Sequence, residues 1–201
     1  MDSNISNPVM EQILESARKL FARYGLDKTT MNEIAADVGL SKAALYYYFK
    51  DKESLFREVV AQEQKDFFGK MRGLTDRNLS AEELMQKYVE LRLEHFKSFL
   101  NLAKLSMHIL SHPKTLVSDL HTGFKQEESK LITQILERGN QRGEFHVNDP
   151  AKVGGLFIHV LFGLRALALR EGGIEGMNDS RYELLKTQMK DFTNYFINGI
   201  K

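Results

Sequence analysis

The sequence predicts an all-α protein in which a small N-terminal domain of three helices, containing a helix-turn-helix, precedes a larger helical domain. Apolar residues recur at spacings of three and four along most of the 201 residues, which is the period of amphipathic helices. Capping residues and glycines mark the helix ends, and no stretch alternates convincingly between apolar and polar residues as a strand would. We expect about nine helices, and the 42% hydrophobic content is enough for a sizeable core.

The first helix is expected from about Pro8 to Tyr24, with Gly25 ending it. Asn7 can cap this helix, and proline suits its first position because no backbone N–H donor is needed there. The apolar face should pack against the next two helices and hold them as one unit. It consists of Ile13, Leu14, Ala17, Leu20, Phe21 and Tyr24.

The most informative stretch covers residues 29–55, TTMNEIAADVGLSKAALYYYFKDKESL. Thr30 can cap a second helix, and Glu33 is spaced to complete a capping box with it. Gly39 can end that helix, because glycine readily adopts the left-handed conformation found just after a helix.

Ser41 can cap a third helix from Lys42 to Phe49. Two short helices joined by a tight turn that contains glycine form a helix-turn-helix, whose second helix enters the major groove of DNA. On this second helix Leu45 and Phe49 share a face and are expected to be buried. Residues on its other faces include Lys42, Ala43, Tyr46 and Tyr47.

Helix signals continue through the rest of the chain. The expected bounds of the later helices are 52–72, 81–100, 101–112, 114–142, one that begins at 150, and 181–200. Their expected capping residues are Asp51, Ser80 with Glu83, Asp149, and either Asp179 or Ser180. We therefore predict a helix-turn-helix domain over 1–50, a shared connecting helix over 51–72 and a C-terminal domain over 73–201.

From about Ile13 to Val60 the chain resembles the TetR family of bacterial transcriptional regulators. The most specific part is GLSK at residues 39–42 followed by LYYYFKDK at residues 45–52. In that family a glycine is common where Ala43 stands and a histidine where Tyr48 stands, so the operator sequence is not predictable. The later residues match only in length and in helical character.

The resemblance implies DNA contacts at positions whose chemistry suits them. Lysine can donate to guanine, an alanine methyl can touch a thymine methyl, and tyrosine hydroxyls can bind phosphate. Ser41 is first a helix cap, and Tyr48 can lie either at the core edge or on DNA. The candidate DNA-binding residues are Thr30, Ser41, Lys42, Ala43, Ala44, Tyr46, Tyr47, Tyr48 and Lys52.

Composition limits the other functions. The net charge is +1, so the chain as a whole is not a basic nucleic-acid coat. With no cysteine, thiol catalysis and disulfides are excluded, and no other catalytic motif is visible, so we expect no enzyme and no cofactor. The N-terminal residues do not resemble a signal peptide, and the apolar run at 153–169 is interrupted by His159 and Arg165. We expect a cytoplasmic protein without a membrane span.

The last two helices are expected to form a homodimer interface. The run at 153–169 is apolar on nearly all sides, and the last helix has a wide apolar face, yet few other helices remain to cover them. Gly154, Gly155 and Gly163 would allow close approach of the backbones. The resemblance points the same way, since similar regulators dimerise through their last two large helices.

The C-terminal domain carries aromatic, methionine and histidine residues that could line a pocket for an unknown small-molecule effector. A core role for any one of them is the competing interpretation. His108 and His112 have the spacing of a metal pair, but no further ligand accompanies them, so no metal site is expected. The candidate ligand-binding residues are His95, Phe99, Met107, His108, Phe124 and His159, with Phe96, Phe157 and Phe162 as further cavity-lining candidates.

These features predict a repressor that is released from a palindromic double-stranded DNA operator by a small-molecule effector. A helix-turn-helix regulator without a small-molecule ligand, controlled by a protein partner, remains the alternative. A closed cavity of several hundred cubic ångströms in the C-terminal domain would distinguish the two.

Overall fold

A computed structural model of the chain describes residues 8–103, 118–172 and 177–201. The regular elements in these ranges are α-helices, which confirms the all-α prediction. They are α1 (Pro8–Lys28), α2 (Met31–Asp37), α3 (Lys42–Tyr48), α4 (Lys52–Thr75), α5 (Ala81–Ala103), α6 (Ser118–Gln141), α7 (Pro150–Gly172) and α8 (Asp179–Ile200).

The chain divides into two compact units. Unit 1 lies within Met1–Lys65 and Lys97–His121, and unit 2 lies within Asp66–Phe96 and Thr122–Lys201. The three boundaries between the units fall inside helices, at residues 65/66 in α4, 96/97 in α5 and 121/122 in α6. The domain bounds expected from the sequence, 1–50, 51–72 and 73–201, stay a prediction. The helix expected over 101–112 is not separate at its start, because α5 continues to Ala103, and its later part lies outside the described residues.

The core of unit 1 joins α1, α2, α3 and the first half of α4. Phe21 of α1 is fully buried and meets Phe56 of α4 edge to face, with ring centroids 5.5 Å apart. Ser16 adds a polar tie, since its Oγ donates to Asp37 Oδ2 at 2.6 Å. The predicted apolar face of α1 is therefore confirmed except at its end, where Tyr24 is 43% exposed.

The end of α1 differs from the prediction that Gly25 stops the helix. Gly25 has a backbone φ of 83°, which breaks the regular helix, but a further helical turn continues to Lys28. The Thr29 hydroxyl then donates to the Gly25 carbonyl at 2.8 Å. The same carbonyl also accepts from the Thr29 backbone N–H at 3.2 Å, so two bonds from Thr29 close the last turn after the break.

In unit 2, α7 packs between α6 and α8. Gly154 lies against α6, and a Cβ at this position would be 3.0 Å from Cγ2 of Ile132. Phe157 stacks on Phe192 of α8 at 5.6 Å between centroids and meets Phe196 in a tilted arrangement at 4.7 Å. Gly154 therefore serves packing within the chain, which corrects its expected place at a dimer interface.

The outward side of α7 is also apolar. Leu156, Val160 and Leu167 are 57%, 41% and 47% exposed. The apolar run expected at 153–169 thus has one side buried within the chain and one side that the single chain leaves exposed. Among the described residues, one helical segment, Pro150–Arg170, is long and apolar enough to cross a membrane. Core helices of soluble proteins can have the same length and composition.

The N-cap of α8 corrects a sequence prediction. Neither Asp179 nor Ser180 caps this helix. Asn178 does, because its Oδ1 accepts a hydrogen bond from the Arg181 backbone N–H at 3.0 Å. The predicted capping box at Ser80 and Glu83 is confirmed, with Glu83 N–H donating to Ser80 Oγ at 3.1 Å.

We expect Asn178→Ala to lower the free energy of unfolding by about 1 kcal/mol, since it removes the acceptor for a first-turn N–H. For a chain of this size that is a fall in Tm of about 2–4 °C. Ser180→Ala is the matched control, and its effect should stay within about 0.5 kcal/mol. Calorimetry of both variants would contradict the assignment if Ser180→Ala were the more destabilising.

Candidate nucleic-acid interface

The third helix, α3, has one buried face and one exposed face. Leu45 is fully buried and Phe49, just after the helix, is 6% exposed, so both belong to the core of unit 1. On the other side Tyr47 is 87% exposed and Tyr46 is 43% exposed. An exposed tyrosine of this kind contributes nothing to the core, so its aromatic surface and hydroxyl are available to a partner.

The turn between α2 and α3 is fixed by its backbone. Gly39 has a φ of 69°, which glycine adopts without strain. The Leu40 N–H donates to Ala35 O at 2.8 Å and the Gly39 N–H donates to Ala36 O at 3.2 Å. These two bonds form a Schellman motif, which ends α2 and sets the direction in which α3 begins.

Ser41 begins α3 as the sequence predicts. Its Oγ accepts from the Ala44 N–H at 3.1 Å, which confirms the cap. Accepting this bond does not use the hydroxyl hydrogen, so Ser41 can still donate to a phosphate. Ser41, Lys42 and Ala43 are all exposed at the start of the helix, where the macrodipole favours an anion.

Aromatic contacts orient the side chains of this surface. Lys42 Nζ lies 5.8 Å from the ring centroid of Tyr46, within reach of a cation–π interaction. The rings of Tyr47 and Tyr48 meet edge to face at 5.6 Å. Tyr48 is half-buried against the core cluster, as is typical of a residue at the core edge, and Ala44 is half-buried as well.

Thr30 has its hydroxyl committed within the protein. It accepts from the Glu33 N–H at 3.2 Å and donates to Glu33 Oε2 at 2.8 Å, so the predicted capping box is confirmed. Hydrogen bonds from the Thr30 side chain and backbone lower the pKa of Glu33. A phosphate contact by Thr30 would have to compete with this carboxylate.

Lys52 has a structural role that the sequence does not indicate. Its Nζ donates to the carbonyls of Asp27 and Thr29 at 3.2 Å and 2.9 Å. The ammonium thus fastens the connection between α1 and α2 to the start of α4. One further N–H of this ammonium could still reach a phosphate.

The candidate ligand-binding residues do not all come together. His95 and Phe124 stack in unit 2 with ring centroids 5.0 Å apart. Phe99 lies one turn further along α5 and is half-buried. His159 is exposed on the outward side of α7, so its expected place in an internal cavity is wrong. Met107 and His108, as well as His112, lie outside the described residues.

Three charged side chains of unit 2 are buried beside His95, and the sequence reading missed them. Arg92 Nε lies 2.6 Å from Glu128 Oε1, and the Tyr88 hydroxyl donates to the same oxygen at 2.7 Å. Arg165 is 5% exposed. The sequence feature that could have revealed them is an arginine among the apolar residues of a helix, as Arg92 is in α5 and Arg165 in α7. Charged residues are rarely buried without a reason.

Comparisons with known proteins agree with this geometry. The family model "Bacterial regulatory proteins, tetR family" matches residues 13–59, from α1 into α4. The crystal structure of a transcriptional regulator from Cytophaga hutchinsonii is 38% identical, with a TM-score of 0.90 over 96% of this chain and 99% of that one.

Two curated relatives extend over most of the chain. The transcriptional repressor KstR2 of Rhodococcus jostii is 26% identical over 81% of this chain and 80% of its own length. The transcriptional regulator QacR of Staphylococcus aureus is 25% identical over 94% of this chain and 97% of its own length. The helix-turn-helix of α2 and α3, the match to the family model and the full-length relatives place the chain in the TetR family of bacterial transcriptional regulators, and it is a DNA-binding regulator of transcription.

Proposed function

We propose that the protein is a homodimeric repressor that binds a palindromic DNA operator through α3 and is released by a small-molecule effector bound in unit 2. The observation that carries the proposal is the two-sided character of α3. Its inner face is buried around Leu45, whereas its outer face exposes a lysine, a methyl-bearing alanine and two tyrosines. This residue set suits base edges and phosphates in a major groove.

The exposed apolar side of α7 supports dimerisation with a second copy of the chain. Leu156, Val160 and Leu167 lie on that face, and Leu184 of α8 is 58% exposed. Several exposed large apolar side chains on neighbouring helices are typical of protein interfaces. Family regulators typically act as dimers, and a twofold dimer would present two α3 helices to two half-sites about 34–36 Å apart or a multiple of that distance.

Control by an effector is supported by the buried polar cluster of unit 2. The cluster consists of the buried side chains of Arg92, Glu128 and Arg165. A core in which apolar side chains replace such charges is often more stable, so stability alone does not account for them. Binding of an effector and binding of DNA would then oppose each other, and by linkage each ligand lowers the affinity of the other by the same factor.

The operator is found by selecting bound sequences from random duplex DNA with the purified protein. We expect the enriched pool to share a palindrome, because two α3 helices related by a twofold axis read the same bases on opposite strands. An enriched sequence without twofold symmetry would contradict the dimeric arrangement. A pool with no enrichment at low salt would contradict specific binding by the free protein.

Lys42→Ala and Tyr47→Ala should each weaken operator binding by about tenfold to a hundredfold, the loss of one hydrogen bond to a charged group. Lys42→Ala should also reduce the salt dependence of binding, by about 0.9 in the log–log slope for each phosphate contact removed. The affinity and its salt dependence can be measured by fluorescence anisotropy with a labelled operator duplex across a salt series.

Two controls accompany these variants. Lys130→Ala removes an exposed lysine of unit 2 and should leave both affinity and salt slope unchanged. Tyr47→Phe keeps the ring but removes the hydroxyl, so it separates stacking from a hydrogen bond to phosphate. Normal operator binding by both alanine variants, with Tm unchanged, would rule out the assigned role of α3.

Leu156→Glu should convert the dimer into a monomer, because it buries a carboxylate in the apolar face of α7. Gln134→Glu adds the same charge at an exposed position of α6 and serves as the control. Sedimentation velocity at micromolar concentration should give a dimer for the control and a 23.1 kDa species for the variant. A wild-type monomer at that concentration would contradict the dimer proposal itself.

A further inference from the structure

In the part of unit 2 that the structure describes, the buried charges do not balance. Among the residues that the structure describes, the buried charged side chains are Arg92, Glu128 and Arg165. Glu128 is shared, since it accepts from Arg92 Nε at 2.6 Å and from the Tyr88 hydroxyl at 2.7 Å. Two guanidinium groups therefore face one carboxylate, which leaves an excess of one positive charge in a desolvated cluster.

His95 does not change this balance. Burial, followed by the nearby charges of Arg92 and Arg165, lowers the pKa of His95 to about 3, so the imidazole is neutral at physiological pH. Burial is also the main cause that lowers the pKa of Arg165 to about 10, and this group still carries its charge at neutral pH.

Two buried polar atoms of the cluster, His95 Nε2 and Arg165 Nη1, have no hydrogen-bond partner within the described part of the chain. The contact made by the other nitrogen of His95 determines which ring nitrogen carries the hydrogen. His95 Nδ1 lies 3.3 Å from Arg92 Nη1, and a guanidinium can only donate, so Nδ1 accepts. The neutral ring then carries its hydrogen on Nε2. Both partnerless atoms are donors, and what is missing is an acceptor.

Aromatic rings surround these groups. Arg92 Cζ lies 4.8 Å from the ring centroid of Phe124, and Arg165 Cζ lies 5.9 Å from that of Phe96. Phe67 approaches both His95 and Phe124, at 5.7 Å and 5.4 Å between centroids. Ring faces attract the cations only weakly, so they do not replace a counter-ion.

We propose that the cluster of Arg92, His95 and Arg165 binds the carboxylate of a small organic monoanion whose body is aromatic or aliphatic. Arg165 Nη1 and His95 Nε2 donate to the carboxylate oxygens, and one negative charge neutralises the excess. The phenylalanine rings contact the apolar body. This rests on the proposed effector control and names the chemical class of that effector.

The first experiment needs no ligand. In the free protein Arg165 is a buried cation whose Nη1 has no acceptor among the described residues, so Arg165→Met, which keeps the length and apolar stem, should raise Tm by about 2–4 °C. Arg170→Met makes the same change at an exposed position of the same helix and should leave Tm within about 1 °C. A lower Tm for Arg165→Met would make this arginine a structural residue and would overturn the proposal.

The second experiment uses octanoate and benzoate as probes, with octanamide, benzamide and octylamine as matched compounds that lack the negative charge. At about a hundred times its Kd, a ligand that binds the native state raises Tm by about 5–10 °C. We expect a shift of this size with at least one carboxylate in the wild type and in Arg170→Met, and none in Arg165→Met. Equal shifts with an amide, equal shifts in Arg165→Met, or no shift with either carboxylate would each contradict the site.

Operator binding is measured in the same samples, which separates this site from the proposed function. Release of the operator duplex by the stabilising carboxylate supports both the site and effector control. Stabilisation without release upholds the carboxylate site and contradicts effector control through it. A protein that never binds the operator but is stabilised by carboxylate through Arg165 likewise upholds the site alone.

Discussion

The burial of Leu45 is the constraint on which the DNA-facing surface depends. A helix of seven residues, such as α3, is too short to persist in water by its own hydrogen bonds. It is stable because Leu45 is fully buried and because Ser41 and the Schellman turn fix its start. Once Leu45 points inward, the geometry of a helix directs Ala43 and Tyr47, two positions away on either side, outward. Lys42 is exposed at the start of the helix. The exposed tyrosines are therefore a consequence of packing on the opposite side.

Unit 2 follows a different rule, because its interior contains charge that contributes little to stability. A well-packed apolar interior is often more stable than one with ion pairs, since desolvation offsets much of the attraction between charges. Arg92 and Glu128 compensate each other at 2.6 Å, whereas Arg165 has a buried N–H with no acceptor among the described residues. Such an arrangement persists only when the other interactions of the fold outweigh its energetic cost. Buried charges of this kind are typical of ligand-binding sites and not of residues that stabilise a core.

Much of the fold could be predicted because its signals are local. Capping boxes at Thr30 and Ser80 depend on residues three positions apart, so they can be found in the sequence and the structure confirms them. The choice between neighbouring caps is harder to predict, because residues 178–180 can all act as N-caps, and Asn178 takes the role expected of Asp179 or Ser180.

The candidate sites were less predictable where they depend on which side of a helix is buried or on residues far apart in the sequence. In α7 apolar residues surround the whole helix, so periodicity does not distinguish the buried side of Phe157 from the exposed side of His159. The pairing of Arg92 with Glu128 joins residues 36 positions apart on different helices, and no local pattern announces it. The exposed face of α3 was easier to foresee, because a helix-turn-helix fixes which side faces its core.

The separation of the two faces of α3 has a consequence for how such a protein changes over time. Lys42, Ala43 and Tyr47 are exposed and lie outside the core cluster, so substitutions there cost the fold little. The preferred operator can therefore drift while stability is retained. Duplicated copies of the gene could acquire different target sites through a few substitutions on this face, with the inner face of the helix left unchanged.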